Sequence, residues 1–66
     1  MITKYTIAKT TLRWVSLDAK AEYRTDKPMI RTIINDTLDS IIRDLNLSEY
    51  QSNLLSNYAC TLHPKD

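Results

Sequence analysis

Apolar residues recur most regularly between Asp26 and Leu45, at Met29, Ile30, Ile33, Ile34, Leu38, Ile41, Ile42 and Leu45. That spacing predicts a helix over 28–45, with Pro28 in its first turn and Asp26 as the capping side chain. At about 100° per residue the eight positions span an arc roughly 220° wide, about twice what a helix lying on one surface requires. The helix should therefore be covered from two sides, by two neighbours of its own chain or by a second subunit. Arg31 falls inside the arc and can extend its head to water. The solvent face carries Thr32, Asn35, Asp36, Asp39, Ser40 and Arg43.

Upstream, the alanines and charged residues of 10–24 favour a helix. Its core stripe would hold Tyr5, Ala8, Leu12, Val15, Ala19 and Tyr23, and a second stripe, Ile7, Trp14, Leu17 and Ala21, falls on the opposite side. Part of the same stretch, Val15 to Tyr23, also alternates with period two as a strand would. Residues 1–9 stay open between helix and strand, because their threonines lower helix propensity. Downstream, Asn46 and Leu47 break the central helix, and Ser48-Glu49-Tyr50-Gln51 reads as a capping box opening a helix over 48–62. Tyr50, Leu54, Leu55, Tyr58 and Leu62 would share its inner face, and Pro64 ends it. The expected fold is all-α: one small three-helix bundle-like domain over 1–66, associating as a homo-oligomer.

Association is expected because 66 residues bury too little surface for more than a marginal core. The usual remedies are disulfides, a metal or a partner. One cysteine and one histidine supply neither of the first two. Net charge is +1, with five Lys/Arg against two Asp/Glu in 1–25 and three against five in 26–50. That asymmetry is far short of a basic nucleic-acid arm. Glycine is absent, which excludes a P-loop, a dinucleotide-binding fingerprint and a nucleophile elbow. No apolar run suggests a signal peptide or a membrane span, and an unpaired cysteine suits a reducing, cytoplasmic setting.

Candidate chemistry is sparse. His63 reads as part of a solvated tail, Cys60 as a surface thiol, and Asp36 with Asp39 as a solvated face. No catalytic residue, cofactor, metal site, membrane partner or small-molecule substrate is inferred. Trp14 is the residue singled out for a partner, since large aromatics anchor interfaces; the competing reading is that it fills the chain's own core or a homodimer contact. Ile7, Leu17 and Ala21 accompany it, while Tyr5, Tyr23, Tyr50 and Tyr58 read as core or rim. The function expected is a non-enzymatic helical protein that works by protein–protein interaction, as adaptor, inhibitor or regulatory subunit, and as a homodimer.

The alternative is a DNA-binding regulator. A strand near 2–8, a helix from about 11 to 24 and the helix 28–45 form an element order that resembles the ribbon-helix-helix repressors. The chain departs from that family in lacking the glycine of the inter-helix turn and in having a third helix. The resemblance implies strands paired across a dimer and set in the major groove. Lys4, Thr6, Lys9 and Lys27 would be the DNA contacts, with Tyr5 and Ile7 turned to the core.

Overall fold

The computed structural model describes residues 2–65 and is all-helical over them. The expected domain also included Met1 and Asp66, which lie outside the described residues. Three helices, α1 (Lys4–Glu22), α2 (Lys27–Asp44) and α3 (Glu49–Leu62), pack pairwise against one another.

α1 begins six residues earlier than the pattern of good helix formers predicts. Its start is held by Thr3, whose hydroxyl accepts from the Thr6 amide at 3.2 Å and lies 3.0 Å from the Thr6 hydroxyl. The threonines that argued against a helix thus supply its N-cap. The strand considered for residues 2–8 is overturned, and the ribbon-helix-helix architecture goes with it, because Lys4 onward is helical.

α2 starts as expected, with the Asp26 carboxylate accepting from the Met29 amide at 3.2 Å. It ends in a Schellman motif. The Leu47 amide bonds the Ile42 carbonyl at 3.1 Å, and the Asn46 amide bonds that of Arg43 at 3.2 Å. Asn46 takes the left-handed conformation at φ 52°, the role glycine usually fills and this chain gives to asparagine. Leu47, folded back at the end of the motif, is buried. At α3 the capping box is present in both directions: Gln51 N–H to Ser48 Oγ at 3.2 Å, Ser48 N–H to Gln51 Oε1 at 3.4 Å.

The large side chains fully enclosed are Leu12, Ile30, Ile34 and Leu55, each stabilising the fold by about 1.5–3 kcal/mol. Small residues on α1 (Ala8, Ser16, Ala19) and on α3 (Ala59) are buried among them. α1 and α3 both pack against α2, and of the eight residues of its wide apolar arc only Met29 stays exposed. The arc's width is therefore met by two neighbours of its own chain and calls for no second subunit. Tyr5, Tyr23 and Tyr58 are half-buried against the core as expected, whereas Tyr50 is 72% exposed. α3 turns Leu55 and Ala59 inward, so Tyr50 in its first turn and Leu54 after it lie on the outer side.

Candidate functional site

The core positions Ala8, Leu12, Ser16 and Ala19 of α1 are buried, while Ile7 (47% exposed), Trp14 (64%), Leu17 (48%) and Ala21 face solvent. The second stripe is where the sequence puts it, on the side of α1 away from α2 and α3. In a three-helix domain each helix has one face turned from its neighbours. What marks this one is that it carries an indole and two branched aliphatic side chains where polar residues would serve solubility.

Residues that the hydrophobic pattern passes over complete the surface. Thr10 lies between Ile7 and Trp14 on the same line, and Arg13 flanks it. Two shallow depressions sit along the stripe. One, about 180 Å³, is bounded by Thr10, Arg13, Trp14 and Leu17. The other, about 250 Å³, lies among Ile2, Thr6, Ile7, Thr10 and Thr11. Both fall below the roughly 300–1,000 Å³ of small-molecule sites. They are gaps between projecting side chains of α1 and, in the second, of Ile2 just before it, suited to receive the side chains of another helix.

The candidate chemical groups do not converge. Cys60, Asp36 and Asp39 are exposed. Among the described residues no group of three or more His, Cys, Asp and Glu side chains could hold a metal. His63 departs from the expected solvated tail: it is half-buried, and its Nδ1 is enclosed without a hydrogen-bond partner. Next to it, Arg31 Nη2 donates to the Pro64 carbonyl at 3.2 Å and ties that residue to α2.

The four residues proposed for DNA contact do not form one face. On α1, Lys4 lies roughly 140° or more around the helix from both Thr6 and Lys9. Lys9 places its Nζ over the Tyr58 ring, 4.9 Å from the centroid. Lys27 is half-buried at the start of α2. With the strand gone, nothing aligns them along a phosphate backbone. Among the described residues no helix is long and apolar enough to cross a membrane.

The fold and surface define a small three-helix domain with one apolar helix face left uncovered. Compared with protein-family models, with curated proteins and with solved structures, the chain matches none.

Proposed function

We propose that this protein acts by binding other protein surfaces rather than by catalysis, as an adaptor, inhibitor or regulatory subunit, and that the outer face of α1 is what it binds with. The supporting observation is the stripe Ile7, Trp14, Leu17 and Ala21, exposed on a helix whose opposite side already builds the core. Residues on such a face are left out of their own chain's buried core, so their apolar character favours a complex. A cytoplasmic setting, in keeping with an exposed unpaired Cys60, belongs to the same proposal.

The test is photo-crosslinking in cells, with a photoreactive residue at Leu17 and, as control, at exposed Asn35 on α2. Adducts from position 17 in excess of those from 35 are expected. Equal or no adducts from position 17 would overturn the proposal.

A further inference from the structure

We infer that the outer face of α1 receives α1 of a second copy of this chain, in parallel, as a short two-stranded coiled coil. This deepens the proposal that the α1 face binds protein, and rests on it. Ile7, Thr10, Trp14, Leu17 and Ala21 follow one another at steps of three and four residues. The mean step of 3.5 is the seam of a left-handed helix pair, with Ile7, Trp14 and Ala21 at a positions and Thr10 and Leu17 at d. In that frame Leu12 and Ala19 take the f positions, opposite the seam, and both are buried in the chain's own core. A second α1 can therefore approach without displacing α2 or α3.

Shape and charge together decide the orientation. The depression bounded by Thr10, Arg13, Trp14 and Leu17 comprises positions d, g, a and d, a four-residue hole of the kind that takes a facing knob. In a parallel pair the knob at that level is Trp14 of the second copy. The same frame puts Arg13 at g and Asp18 at e, both exposed. A parallel pair sets each g against the e position five residues further on in its neighbour, so Arg13 of each copy meets Asp18 of the other, twice by symmetry. An antiparallel pair sets g against g. The g positions are Thr6, Arg13 and Lys20, which contain no acid, so Arg13 would oppose Thr6, Arg13 or Lys20 and gain no ion pair. Charge complementarity thus selects the parallel arrangement. Thr10, polar within the seam, serves to hold the register.

Two heptads are too few for isolated helices to pair. Here α1 is already folded against its own domain, so pairing does not have to offset helix nucleation. The short seam still limits the buried area, which places the dimer at the small, weak end of protein interfaces.

The experiment uses the full chain in sedimentation velocity from about 1 µM to about 1 mM, together with emission from Trp14, the sole tryptophan. A concentration-dependent dimer is expected, with emission shifting to the blue as it forms. Leu17→Asp should be monomeric across the range while keeping the wild-type circular dichroism and, at concentrations too low for the dimer to form, the wild-type melting temperature. Arg13→Asp should weaken the dimer, and adding Asp18→Arg should restore it. In a Cys60→Ser background, Ala21→Cys should oxidise to a disulfide-linked dimer, because a positions adjoin across a parallel axis. An antiparallel pairing centred near Trp14 would hold those thiols on the order of 20 Å apart.

A monomer throughout, a dimer indifferent to Leu17→Asp, or a dimer that Ala21→Cys cannot link would each overturn the inference. If the protein is a monomer but position 17 crosslinks to a different protein, the α1 face remains a docking surface and only its occupant has been misassigned. If neither is seen, both proposals fall.

Discussion

Arg31 and Pro64 stand 33 residues apart in sequence and are joined by a hydrogen bond of 3.2 Å from the guanidinium to the proline carbonyl. The bond is partly buried and its donor charged, so it fastens the end of α3 to the first turns of α2 more firmly than a surface contact would. Arg31→Ala should lower the unfolding free energy by about 1–2 kcal/mol, read from urea denaturation. Lysine at this position should recover only part, lacking the planar fork. A loss within the scatter of surface substitutions would show that the tail docks without this bond.

Ser16 offers the opposite case. It is 1% exposed, and its Oγ has no hydrogen-bond partner. An enclosed, unsatisfied hydroxyl is a cost to the folded state, and alanine is both apolar and the better helix former. Ser16→Ala should therefore stabilise the domain by about 1 kcal/mol, raising the melting temperature by roughly 4–8 °C in a domain of this size. A fall in melting temperature would mean that the hydroxyl is satisfied in solution.

At Asn46 the backbone matters more than the side chain. With φ at 52°, asparagine tolerates a conformation that β-branched residues do not. Asn46→Gly should leave stability equal or higher. Asn46→Val should lower it by about 1–2 kcal/mol without changing the denaturant slope, since the surface exposed on unfolding is unaltered. Equal stability of the two variants would count against the left-handed turn.

The two faces of α1 should respond differently to one substitution. Leu12→Ala removes a fully enclosed side chain and should cost about 2–5 kcal/mol, enough to unfold much of a domain this small. Leu17→Ala, at a half-exposed site, should change the stability of the dilute monomer by less than about 0.5 kcal/mol. Chemical denaturation of both variants at low micromolar concentration checks the contrast.

How much of this was legible beforehand depended on which physical signal each segment carries. α2 and the capping box were plain, because a long aliphatic period and a Ser48–Gln51 pair each admit few other conformations. The opposed faces of α1 were legible too, down to Trp14. The start of α1 was not: Thr3 and Thr6 were weighed by their interior propensity, whereas Thr3 stands outside the helix and caps it. Tyr50 was placed inside because it is four residues from Leu54 and five from Leu55. Only the packing on α1 and α2 shows that Leu55 and Ala59 set the inward direction. The docked tail was illegible because it involves a long-range bond from Arg31, an arginine inside the apolar arc whose head was expected to reach water. At the candidate site, Thr10 and Arg13 escaped notice, being polar on a stripe found by counting apolar residues.

The links between helices, residues 23–26 and 45–48, are four residues each. Helices adjacent in sequence are therefore adjacent in space, and most native contacts close short loops of chain. Helical domains of such low contact order reach their folded state in microseconds to milliseconds. That step is unimolecular and should be over before two copies meet at dilute concentration. Refolding traces should then separate by order of reaction: a fast phase whose rate ignores protein concentration, belonging to the chain alone, and a slower one that scales with it, belonging to whatever settles on α1.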